Sequence, residues 1–146
     1  MEKIYKAQGR FDKAIEISGK DVTLQRERVD LTDKERKDAI AYSLRRLGMA
    51  HAEYGKGIKE ARRIYKEVWE KYPGMPSAFW CGYELASKKE RAKAESMIEK
   101  VWGLLKESKP KTALKTLDKA VKKYPLVLQG RPYVEDLRMQ ILKEVK

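Results

Sequence analysis

The chain has 146 residues and a mass of 17.0 kDa, the size of one domain able to bury roughly 68–70% of its unfolded surface without disulfides or metals. Lys and Arg number 34 against 22 Asp and Glu, a net charge of +12, and the 42% hydrophobic and 9% aromatic content excludes a disordered basic tail. One cysteine, Cys81, and one histidine, His51, exclude a disulfide framework and a Cys-based metal cage, and they leave little for acid–base chemistry.

From the first residue onward, Met1-Glu2-Lys3-Ile4-Tyr5-Lys6 has no apolar run behind its charges, so a signal peptide is not expected. No stretch reaches about 18 uncharged apolar residues, so neither a membrane span nor a membrane partner is expected, and the expected compartment is the cytoplasm. Residues 2–8 and 11–18 read as two short helices hinged at Gly9-Arg10. From Asp21 to Asp30 the residues Val22, Leu24, Arg26 and Val29 alternate only partly, which favours loop or irregular structure. Residues 1–31 therefore form the less regular part of a single all-α domain spanning 1–146.

Thr32 and Glu35 have the spacing of a capping box and open a helix that carries Ile40, Leu44, Leu47 and His51 to about Tyr54, where Gly55 and Gly57 supply a turn. The next helix, 58–72, places Ala61, Ile64, Tyr65, Val68, Trp69 and Tyr72 on one stripe. Pro73-Gly74-Met75-Pro76 stops it. Ser77 can cap a helix carrying Phe79, Trp80, Tyr83 and Ala86. Ser87 and Glu90 form a second possible capping box ahead of Ala94, Ile98, Val101, Trp102 and Leu105. Two helices or one kinked rod fit this stretch. Pro110 suits the first position of a further helix that turns Ala113, Leu114, Leu117, Ala120 and Val121 inward and ends at Lys123-Tyr124-Pro125. Gly130-Arg131-Pro132 opens the last helix, with Val134, Leu137, Ile141 and Val145 inward. The sum is about seven helices in antiparallel pairs.

Two segments repeat. Ala61 to Pro73 can be laid over Ala113 to Pro125: a small residue, a large apolar residue four later (Tyr65, Leu117), another apolar residue three beyond (Val68, Ala120), and a closing Lys-Tyr-Pro. This resembles the second helix of a tetratricopeptide repeat. The resemblance extends back through Leu44, Leu47, Gly48 and His51, which stand where that family's first helix has an aromatic, a leucine, a glycine and a tyrosine, with one extra residue in the turn. Tyr5, Gly9, Phe11 and Ala14 look like a third hinge, with Ser18 in place of the expected large residue. The two good copies lie 52 residues apart instead of about 34, so an additional helix must lie between Pro76 and Pro110. Residues 32–76 are the best repeat unit and 77–146 the basic C-terminal helices. The resemblance implies a short right-handed stack of helix pairs, with an irregular helical bundle as the other reading.

It also implies a non-catalytic adaptor, without cofactor or metal, whose groove takes a peptide or helix of another protein. Tyr42, Arg45, Met49, Ala52 and Glu53 would line that groove. Relatives that clamp an acidic chain end use a lysine and an asparagine where this chain has Arg45 and Met49. A solvated helix face is the competing reading of Arg45 and Arg46.

Charge adds a second surface. Residues 88–146 hold 16 Lys and Arg against 8 Asp and Glu. Lys111, Lys115, Lys119 and Lys122 fall on one stripe opposite Leu114, Leu117 and Val121, flanked by Lys123 and preceded by Lys106 and Lys109; only Glu107 and Asp118 oppose them. Three readings stay open: a solvated lysine face, an acidic protein partner, or a nucleic-acid phosphate backbone, the last making the protein a small basic nucleic-acid-binding accessory. The absence of asparagine and the scarcity of glutamine are expected of a protein that works hot.

Several chemical motifs fail on composition. His51-Ala-Glu53 lacks the cysteines a zinc deaminase needs. No Gly-rich phosphate loop is present, and Glu135 with Asp136 suit the negative charge favoured in a first helical turn. Tyr65, Trp69, Phe79, Trp80, Tyr83 and Trp102 are expected in the core, with Trp69, Tyr72 or Trp80 as partner contacts in the alternative.

Overall fold

The computed structural model describes residues 11–54 and 57–145. Among them are eight helices and no strand: α1 (Phe11–Glu27), α2 (Asp33–Tyr54), α3 (Ile58–Lys71), α4 (Pro76–Leu85), α5 (Lys88–Lys106), α6 (Pro110–Lys123), α7 (Pro125–Leu128) and α8 (Pro132–Glu144). The chain divides into two compact units between Leu85 and Ala86. Within each unit, most helices joined by short connections pack as neighbours, as in helical hairpins.

In the first unit α2 packs against α1, α3 and α4, and α3 against α4. Ile40, Ala41 and Leu44 from α2, Ala61, Ile64, Tyr65 and Val68 from α3, and Ala78 and Cys81 from α4 build the core, with Val22 of α1 at its edge. Alanines at 41, 61 and 78 have no accessible bulk to hold the helices apart, so larger neighbours fill the grooves beside them. The start of α2 is fixed as its sequence suggests: Thr32 Oγ1 accepts from the Glu35 amide at 3.2 Å, and the Glu35 carboxylate accepts from the Thr32 amide at 3.2 Å. The α3–α4 turn places Gly74 at φ +85°, a left-handed conformation that costs a residue with a Cβ about 1–2 kcal/mol. The Arg62 guanidinium donates to the Leu85 carbonyl at 3.1 Å, satisfying an orphan acceptor at the end of α4.

In the second unit α6 packs on α5, α7 and α8. Ala94 and Val101 of α5 meet Ala113, Leu117 and Ala120 of α6, and Val127, Leu128, Val134, Leu137 and Ile141 close the core from below. Ser87 and Glu90 form the second capping box.

The structure corrects some expectations. The hinge at Gly9-Arg10, with Tyr5, lies outside the described residues. Asp21–Glu27 is helical, not irregular, because α1 continues to Glu27: Asp21 accepts from the Ser43 hydroxyl at 2.8 Å and Val22 is buried, so contact with α2 holds a stretch whose own periodicity is weak. Only residues 28–32 form the turn. The stretch after Pro76 is two helices, and Ser77 is a buried residue inside α4, which starts at Pro76 itself. A one-turn helix, α7, follows Tyr124 where only a stop was expected. Tyr83 and Trp102 are exposed, because the buried stripes of α4 and α5 are narrower than their apolar content suggests.

Candidate functional site

The first unit is organised around a missing side chain. Gly48 lies on the face of α2 that meets α3, and a Cβ built there would sit 2.6 Å from Tyr65 Cε1 and 2.9 Å from Cδ1. The Tyr65 ring occupies that space, which brings the two helices together. On its other side it meets the Trp80 ring of α4 edge-on, centroids 5.3 Å apart at 80°. Burial pushes the Tyr65 hydroxyl up to about 12 and the Cys81 thiol up to about 12, so both stay protonated at neutral pH and Cys81 is a packing residue.

Beside this contact, α2 presents Tyr42, Arg45, Met49, Ala52 and Glu53 on one side, Arg45 half-buried and the others exposed. Arg45 is the hub. Its guanidinium carbon stands 4.9 Å from the Tyr42 ring centroid and 5.2 Å from that of Trp80, so the cation is held between two aromatic rings. The Arg46 guanidinium adds a longer contact to Tyr42 at 5.9 Å. Arg45 Nε is buried and has no hydrogen-bond partner among the described residues. Leaving such a donor unsatisfied costs about 1–3 kcal/mol. Trp80 completes this cluster; the sequence offers it as a core aromatic or, in the alternative, a partner contact, and its place against Arg45 depends on how α4 packs on α2.

The predicted basic stripe is a separate surface in the second unit. Lys106, Lys109, Lys111, Lys115, Lys119, Lys122 and Lys123 are all exposed, while Leu117, behind them on α6, is fully buried and Leu114 and Val121 are half-buried. Lys109 pairs with Glu107 at 3.2 Å, and the Lys123 ammonium lies 5.7 Å from the Tyr124 ring centroid. Lys111, Lys115, Lys119 and Lys122 make no ion pair with any described residue. The one acid on α6, Asp118, pairs with Arg138 of α8, which draws its charge away from the lysines.

The remaining candidates have structural places. His51 is half-buried, its ring against Gly57. Glu135 pairs with Arg138 at 3.7 Å. Among the described residues no group of three His, Cys, Asp or Glu side chains could hold a metal ion, and no helix is long and apolar enough to cross a membrane.

A family model for the tetratricopeptide repeat matches residues 42–74, the stretch from Tyr42 through the Gly48–Tyr65 contact to the turn after α3. No curated protein and no solved structure matches the chain. Tetratricopeptide repeats commonly mediate protein–protein interaction, and the family is generally non-catalytic. The matched helix pair, its second copy of the α3 pattern in α6, and the pairwise packing of all-α elements lead to one reading: the chain is a tetratricopeptide-repeat-like helical repeat protein.

Proposed function

We propose that the protein is a non-catalytic adaptor that binds a peptide or helix of another protein on the α2 face formed by Tyr42, Arg45, Met49, Ala52 and Glu53, with Trp80 of α4 at its edge. The observation that carries this reading is Arg45: a guanidinium flanked by two rings, with a buried Nε and no acceptor among the described residues. The Nε lies out of a ligand's reach, and a ligand carboxylate would instead pair with the terminal nitrogens of the half-buried guanidinium through charge-assisted hydrogen bonds. Arg, Tyr and Trp are also the residues that dominate binding energy when an interface buries them. Met49 beside Arg45 offers an adaptable apolar contact. The preferred ligand is therefore a segment with an acidic residue next to an apolar one.

Selection from a displayed library of random peptides tests this. The expected result is enrichment of Asp or Glu beside a large apolar residue, with binding lost in Arg45→Glu and weakened in Tyr42→Ala. Enriched peptides without acidic residues, or binding indifferent to both substitutions, would overturn the reading.

A further inference from the structure

We propose that the lysine row of α6 is a docking surface for a nucleic-acid phosphate backbone. Helix α3 is the sister of α6. At the constant offset of 52 residues, α3 and α6 share their buried pattern through Tyr72-Pro73 and Tyr124-Pro125, so their outward positions can be compared one by one. On α3 the outward acids Glu60, Glu67 and Glu70 pair with Arg63, Lys71 and Lys66. The same three positions on α6 hold Thr112, Lys119 and Lys122. Two row positions are already basic on α3, where Lys59 and Arg63 match Lys111 and Lys115, and what α6 adds is Lys119 and Lys122 in place of paired acids. On α6 the acids are replaced, and Asp118 is turned toward Arg138.

The geometry suits a polyanion. A helix rises about 1.5 Å per residue, so Lys111 to Lys122 span about 16 Å, over which one strand of a duplex carries about five phosphates. The row holds no exposed apolar or aromatic side chain. A protein partner would find nothing there to desolvate, and lysine is depleted at such interfaces. Binding by ion release to a phosphate chain needs only the charges, and the scarcity of arginine on the row removes the fork that reads guanine edges.

Fluorescence anisotropy of the full chain with a labelled mixed-sequence DNA duplex tests the assignment. The expected Kd at physiological salt lies in the range of about 10⁻⁴–10⁻⁶ M, with a log–log salt slope of about −3 to −4 for the four row lysines and little change on permuting the sequence. Lys119→Glu with Lys122→Glu copies the residues of α3. It should lower the slope by about 2 and weaken binding on the order of tenfold or more at low salt, with helicity retained. Lys34→Glu with Lys37→Glu removes the same charge from exposed positions on α2 and should weaken binding far less. Three results would overturn the proposal: no binding at low salt, equal loss in the two variants, or tighter binding to polyglutamate than to the duplex, which would assign the row to an acidic protein. The α2 face is untouched by the row variant, so peptide binding there succeeds or fails independently.

Discussion

Helices α3 and α6 are built on one plan and finished differently. Each has alanine at the close-packed position, a large residue four later, and a Tyr-Pro terminus. Each caps its last turn by an amide of that tyrosine donating to the carbonyl four back, Val68 or Ala120. Yet α3 sits among rings and pairs each of its three acids with a cation, while α6 sits among aliphatic side chains and its row lysines make no ion pair with any described residue. Buried faces are fixed by volume and spacing, so they repeat. Outward faces are nearly free of that constraint, since surface pairs contribute only about 0–1 kcal/mol, and they can diverge toward a use.

The largest contrast should appear in alkali. Cys81 and Tyr65, both in the first unit, have folded values near 12 against ordinary values of 9.0 and 10.0. Their buried neutral forms support the fold fully below about pH 9, and that support is lost as pH rises toward 12, because the unfolded chain releases protons first. Amide hydrogen exchange should show α2–α4 losing protection over that window, and Cys81→Ala should flatten the lower part of the loss. A pH-independent first unit would break this contrast.

Next come two of the helix-interior glycines. Gly48→Ala drives a methyl into Tyr65 and should destabilise by about 1–3 kcal/mol. Gly103→Ala on α5 meets nothing within 4 Å and should stabilise by about 0.5–1 kcal/mol. Thermal unfolding of the two variants should therefore move in opposite directions. The turns differ in the same sense. Gly74 carries its positive φ without strain, whereas Ser108 holds φ 59° between α5 and α6. Ser108→Gly should raise stability and Gly74→Ala lower it, each by about 1 kcal/mol. The smallest effect is a charge exchange. Glu67→Lys on α3 removes the pair with Lys71, and Lys119→Glu on α6 creates its counterpart with Lys123. Changes of about 0.2–0.5 kcal/mol of opposite sign are expected in low-salt denaturant titrations.

Much of this was legible in the chain because it rests on short-range rules. The stripe from Ala61 to Tyr72, the Thr32–Glu35 and Ser87–Glu90 boxes, and the proline stops each lie within one helix or one turn. Where neighbours decide, periodicity misled. Asp21–Glu27 is helical because Ser43 and the α2 core hold it. Trp102 looks inward by period, but Ala94 and Val101 already fill the space toward α6. The five residues of the α2 face could be placed on one side from spacing, while the ring of Trp80 against Arg45 required knowing that α4 returns to α2.

The bare Cα at position 48 reaches beyond packing. Tyr65 fits against it in one way, so the roll of α2 about its own axis is locked by a hydrogen atom. Tyr42, Arg45 and Met49 ride on that same rod and inherit their aim from it. A single added methyl there would turn the edge that carries Tyr42, Arg45 and Met49, so on the proposed function peptide binding should fall in a variant that leaves those three side chains intact.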